Sequence, residues 1–359
     1  MIGIKTAKRQ SREQGAIHLY SGPGKGKSRA ILGLLLRSLG AGHRVCLVQF
    51  LKGGRNYDED PAIAALQSAF PHALDFIRCG RGEHLSLYTT TPDDYRESRR
   101  GWDIARGAVA SGFYDLVALD EINPVAHLNL VSASEIVEAL QGRKTNTEII
   151  LTGEPCPDDF SAIADLHSVF TPSREGELGN LHVITGDGKG KSTSALGYAL
   201  EAIGVAMRER DDRGVAIIQF LKGGSGYTED GPLRKLQESH PNMTYRVRCG
   251  RDAIVWRGRQ TPLDYEEAAM GWDEAVAAIA SGDYRAVILD EINTATDLHL
   301  LLSEPIYRAI AANPQTKIIC TGRYSTPQRY STLAGTTTTI NCKRHYAASG
   351  WKLRQGIDY

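Results

Sequence analysis

The chain has 359 residues, 42% hydrophobic and 23% charged, in the range of a globular protein that buries its own core. Its 42 basic and 42 acidic side chains cancel, so no bulk charge draws it to nucleic acid or to an anionic membrane. No apolar run suits a signal peptide or a membrane span, and the six cysteines are scattered without Cys-x-x-Cys spacing, so reduced thiols and a cytoplasmic location are expected.

Residues 1–14 are polar and read as a loose arm. Residues 16–20 form a short apolar strand that leads into Ser21-Gly22-Pro23-Gly24-Lys25-Gly26-Lys27-Ser28. A helix over 28–39 follows and stops at Gly40 and Gly42. Residues 44–51 carry the run Val45-Cys46-Leu47-Val48, which suits a strand buried on both faces. A helix over 61–69 and a strand over 74–79 come next. Thr91-Pro92-Asp93-Asp94 supplies the cap, the proline and the acidic first turn of a helix reaching Ala110. Leu116–Asp120 and Glu148–Thr152 are further apolar strands. Short strands alternating with helices imply a mostly parallel sheet covered by helices on both faces.

The order then recurs. Thr185-Gly186-Asp187-Gly188-Lys189-Gly190-Lys191-Ser192 repeats the glycine-rich segment. Gln49-Phe50-Leu51-Lys52-Gly53-Gly54 returns as Gln219-Phe220-Leu221-Lys222-Gly223-Gly224, and Arg78-Cys79-Gly80-Arg81 as Arg248-Cys249-Gly250-Arg251. Leu119-Asp120-Glu121-Ile122-Asn123 returns as Leu289-Asp290-Glu291-Ile292-Asn293. Two loops followed by the same blocks in the same order are a duplicated domain. The offset is 164 residues at the loop and 170 afterwards; the charged stretch 207–214 is read as the inserted, solvated loop. The first domain is expected over 15–175 and the second over 176–359, with a tail after Thr336 that the first lacks.

A glycine-rich turn between strand and helix lets backbone N–H groups converge on phosphate oxygens at a helix N-terminus. Gly22, Gly24, Lys25 and Gly26, and Gly186, Asp187, Gly188, Lys189, Gly190 and Thr193, are the candidate nucleotide-binding residues beside the principal lysines Lys27 and Lys191. Ser28 and Ser192 offer hydroxyls to Mg²⁺, with Glu121 and Glu291 as the carboxylates at the strand ends. The loops are variants, because Ser21 and Thr185 stand where the usual pattern has its first glycine.

These residues resemble the ATP:corrinoid (cob(I)alamin) adenosyltransferases of the phosphate-loop type. The resemblance rests on the second loop through Thr193, on Gln219-Phe220-Leu221-Lys222-Gly223, Leu289-Asp290-Glu291 and Thr321-Gly322-Arg323, and on the terminal Gly356-Ile357-Asp358-Tyr359. The first copy is similar through Thr152-Gly153. The fold implied is two tandem P-loop (RecA-like) α/β domains. The reaction implied is attack of corrinoid Co(I) on C5′ of ATP with release of triphosphate. ATP, Mg²⁺ and a corrinoid are the implied ligands, with an electron-donating reductase or flavoprotein as partner and the two repeats forming an intramolecular pseudo-dimer. The resemblance also gives Arg37 a role toward the phosphates, where the second copy has Glu201, and gives Trp256 a role toward the corrinoid. The matching aromatic segment of the first copy falls near Leu85-Ser86-Leu87-Tyr88. Pro23 donates no N–H, where the second copy keeps Asp187. Two other functions fit the duplicated loop: a tandem P-loop ATPase acting on nucleic acid, and a non-catalytic ATP- or corrinoid-binding protein.

Overall fold

The computed structural model describes residues 15–81, 89–143, 146–173, 176–352 and 354–358. The expected N-terminal arm and the Leu85–Tyr88 segment lie outside these residues. The first half runs β1 (Ile17–Ser21), α1 (Lys27–Gly40), β2 (Val45–Gln49), α2 (Asp60–Ala69), β3 (Leu74–Arg78), α3 (Pro92–Ser111) and β4 (Leu116–Asp120). It continues with α4 (Ile122–His127), α5 (Ala133–Gln141), β5 (Glu148–Thr152), α6 (Asp158–Ile163) and β6 (Leu166–Pro172). The second half repeats this as β7 (Leu178–Thr185), α7 (Lys191–Glu209), β8 (Gly214–Gln219), α8 (Asp230–Ser239), β9 (Thr244–Arg248), α9 (Pro262–Ser281) and β10 (Tyr284–Asp290). It closes with α10 (Ile292–Asp297), α11 (Ser303–Ala312), β11 (Lys317–Thr321), α12 (Arg329–Thr332) and β12 (Ala334–Arg344). Of the charged stretch read as an inserted loop, residues 207–209 form the end of α7, and residues 210–213 make the short loop before β8.

All twelve strands join one sheet, ordered β3-β2-β4-β5-β1-β6-β12-β7-β11-β10-β8-β9. Read from either edge, the order is the same in the two halves. Each half is parallel within itself, and the halves meet at an antiparallel seam where Ile340 faces Phe170 and Cys342 faces Ser168. The seam strands are threonine-rich or half-polar, which favours extended backbone without the apolar run that marks a strand in sequence.

Alternation along the central strands divides the core. Ala118 and Ile150 face a cluster shared with α1, α2, α7 and α8, so one face of the sheet has a single core crossing both halves. Val117, Leu119, Ile149 and Leu151 face a core confined to the first half, and Val183, Val287 and Ile318 one confined to the second. At the centre of the shared face, α1 lies against α7 at backbone distance. A Cβ on Gly33 would come within 2.0 Å of the Thr193 carbonyl oxygen, and one on Gly197 within 2.1 Å of that of Arg29. Among the described residues, no helix is long and apolar enough to cross a membrane.

Candidate active site

Each glycine loop rests on the seam. The Gly24 N–H donates to the Phe170 carbonyl at 2.8 Å, and the Gly188 N–H donates to that of Ile340 at 2.8 Å. Gly22 and Gly186 adopt φ of +93° and +101°, and a side chain there would strike those same carbonyls. Glycine is therefore required twice over, by conformation and by space. The loops end at the N-termini of α1 and α7, where unpaired amides and the helix dipole favour an anion.

The two lysines close over their own loops. Lys27 Nζ donates to the carbonyls of Gly22 at 2.6 Å and Gly24 at 3.0 Å, and Lys191 Nζ donates to that of Gly188 at 2.8 Å. Burial lowers both ammonium groups, Lys191 to about 8, with Glu291 acting in the opposite direction. Beside each loop stands a buried aspartate at the strand end. Asp120 accepts from Ser28 at 2.9 Å, Thr152 at 2.7 Å, Gln49 at 3.1 Å and Lys52 at 2.6 Å. Asp290 accepts from Thr321 at 2.5 Å, Gln219 at 3.1 Å and Lys222. Burial opposes ionisation of both, but the lysine beside each outweighs it and holds the carboxyl below its usual range. Burial, then the charge of Asp120, pushes the neighbouring Glu121 up.

Lys52 and Lys222 belong to the repeated Gln-Phe-Leu-Lys-Gly block, yet sequence reasoning gave them no place in the site. Their ammonium groups reach Ser28 Oγ at 3.1 Å and Ser192 Oγ at 3.3 Å. The positive charge thus sits between the hydroxyl and the aspartate of each loop. The recurrence of a lysine in both copies was the available signal.

The other singled-out residues have partners and surroundings of their own. Lys189 is bound by Asp358 and by the Tyr346 hydroxyl at 2.5 Å. Burial opposes ionisation of Asp358, but Lys189, Tyr346 and Arg354 outweigh it and hold its carboxyl low. Thr193 turns its hydroxyl back to the Gly190 carbonyl at 3.1 Å. Trp256 is 62% exposed, on the stretch between β9 and α9, so it does not fill the core. Arg37 and Glu201 each leave their own half. Arg37 on α1 lies 3.3 Å from Glu229, just before α8, and donates to the Asp358 carbonyl at 3.1 Å. Glu201 on α7 lines the cavity of the first loop together with Lys25, Lys27, Ser28, Lys52, Glu59 and Glu121. That cavity is about 340 Å³. The helix contact between α1 and α7 produces this exchange, so a residue on either helix is presented to the other half's loop.

The profile of the family described as ATP:corrinoid adenosyltransferase BtuR/CobO/CobP matches residues 13–175 and, a second time, 177–359. A corrinoid adenosyltransferase of Pseudomonas aeruginosa is 29% identical over 184 residues, covering 51% of this chain and 85% of its own. One from Escherichia coli K12 is 31% identical over 160 residues, covering 45% of this chain and 78% of its own. An uncharacterized protein of Nostoc sp. is 48% identical over 373 aligned positions, which cover 100% of this chain and 99% of the other. With the loops, the strand-end acids and the repeat all in place, the chain belongs to the ATP:corrinoid adenosyltransferases and carries the domain of that family twice.

Proposed function

We infer that the chain transfers the 5′-deoxyadenosyl group of ATP to Co(I) of a reduced corrinoid, with release of triphosphate. The observation that carries this reading is the cradle at the helix N-terminus, where loop amides, a buried lysine, and a serine and an aspartate bridged by a second lysine converge. The Co(I) electron pair attacks C5′, the C5′–O bond breaks, and its electrons leave with triphosphate as the Co–C bond forms. No proton is transferred, so the protein needs no general base. Its share is to orient ATP and to stabilise charge on the departing oxygens. Lys191 and the amides of Gly186 and Gly190 would take the phosphate oxygens; Lys27, Gly22 and Gly26 are the matching residues of the first half. Hard oxygen donors suit Mg²⁺. Ser192 with Glu291 would hold it, Ser28 and Glu121 being the matching pair of the first half, and its charge would offset that of the polyphosphate.

In the same reading, the exposed Trp256 meets the corrinoid, and a reductase or flavoprotein supplies the electron that makes Co(I). The repeats, taken as 15–175 and 176–359, form a pseudo-dimer within one chain, working in the cytoplasm. An anaerobic mixture of the protein, ATP, Mg²⁺ and chemically reduced cobalamin tests the activity. The spectrum should shift to that of adenosylcobalamin with one triphosphate formed per Co–C bond. Phosphate or diphosphate in place of triphosphate would refute it.

A further inference from the structure

The two loops are alike in backbone and opposite in the charges that face them. In the first, Glu154 follows Gly153 and accepts the Gly22 N–H at 2.7 Å. A carboxylate therefore already occupies a loop amide that a phosphate oxygen would need. The corresponding residue of the second half is Arg323, whose guanidinium reaches the Asp187 carbonyl at 3.2 Å. The residue contributed from the opposite half is reversed as well. The first loop receives Glu201, paired with Arg29 at 2.7 Å, which also consumes that arginine's charge. The place equivalent to the Glu201 position belongs to Arg37, beside Glu229, the counterpart of Glu59 in the first loop's cavity. Pro23 removes one further N–H from the first loop.

The second loop shows the opposite condition. Arg37 Nε and Glu229 Oε2 form a buried ion pair at 3.3 Å, yet Arg37 Nε and both Glu229 carboxylate oxygens make no directed hydrogen bond among the described residues. The ion pair offsets their charges, but buried polar atoms that lack a directed hydrogen bond remain costly, and a ligand's oxygens and hydroxyls would complete them. Arg37 is close enough to Lys222 to act on its charge, and Lys222 touches Ser192 of the loop.

We propose that, of the two loops, only the second takes the nucleotide, that Arg37 completes it from the other half, and that Glu154 and Glu201 close the first loop to polyphosphate. The proposal rests on the reading above and adds which loop is used. Arg37 binds; it holds polyphosphate or ribose oxygens against Glu229 and takes no part in bond making.

The test is a count of bound ATP on the full chain, by equilibrium dialysis with Mg²⁺ and saturating nucleotide. Wild type should bind one ATP per chain, and Lys191→Ala should bind none. Arg37→Glu should weaken the remaining site about 100-fold or more, with Arg37→Lys recovering part of the loss. Glu154→Arg combined with Glu201→Arg should raise the count toward two. An azido-ATP photolabel on wild type, which needs no variant, should map to peptides around the second loop. Two ATP per wild-type chain, no ATP bound at all, or a label on the first loop would overturn the proposal. Formation of adenosylcorrinoid is scored separately. One ATP at the second loop without Co–C bond formation keeps this inference and removes the proposed activity; transfer with two ATP bound does the reverse.

Discussion

Lys191 carries a charge that burial makes conditional. Its ammonium is lowered to about 8, and a bound polyphosphate would raise it again. Binding is therefore strongest where the free lysine is already protonated, below about 8. It should weaken as pH rises through that value, by up to about tenfold per pH unit for one titrating group. Calorimetric titration of ATP from pH 7 to 10 checks this; a flat profile would show that Lys191 does not face the phosphates. Trp256 gives a second prediction at this scale. Because it is exposed, Trp256→Ala should leave ATP affinity and thermal stability near wild type and lower the rate of corrinoid adenosylation. Steady-state kinetics with varied corrinoid would read it, and an unchanged rate would remove Trp256 from the site. The loops themselves were legible in the sequence, because glycine, lysine and serine are dictated there by backbone conformation and phosphate chemistry. The partners of Arg37 and Glu201 were not, since helical spacing gives a face but not the neighbour that face meets. Glu154 was hidden for a different reason: only against Arg323 does its place on a loop amide acquire meaning.

At the scale of elements, the contact of α1 with α7 decides most. Its two glycines bring backbones together, and the exchange of Arg37 and Glu201 follows from that closeness. Gly197→Val would force the helices apart and should cost about 3 kcal/mol or more, read as a lower midpoint in urea unfolding. Gly107 on α3 meets nothing within 4 Å of an added Cβ, so Gly107→Ala should stabilise by up to about 1 kcal/mol. The opposite signs of these two glycine substitutions test the packing rather than helix propensity. Most helices and parallel strands were legible, because apolar runs and caps such as Thr91-Pro92 mark them locally. β6 and β12 were not, because their alternation is short or threonine-rich and their pairing partners are far away in sequence.

At the scale of the molecule, the tail of the second half is clasped by the first. Ser38 donates to the Gly356 carbonyl at 3.0 Å, Arg354 reaches Glu148 at 2.7 Å, and Glu148 is also bonded to buried His18 at 2.5 Å. Burial pushes Glu148 up, but His18 and Arg354 outweigh it and bring it down to about 2. Arg354→Ala should therefore destabilise the whole chain by about 3 kcal/mol, since one buried carboxylate loses a partner, and thermal unfolding should show it as a single shifted transition. Two separate transitions would mean the halves unfold independently.

The seam has a consequence during synthesis. β6 leaves the ribosome with one edge unpaired, and its neighbour β12 follows only after more than a hundred and fifty further residues. Throughout that interval the nascent chain carries a bare strand edge in its own centre, open to a second nascent copy. A messenger that stalls before Ala334 would release chains able to stitch to one another along β6, and slow translation of the second half should yield more aggregate than slow translation of the first.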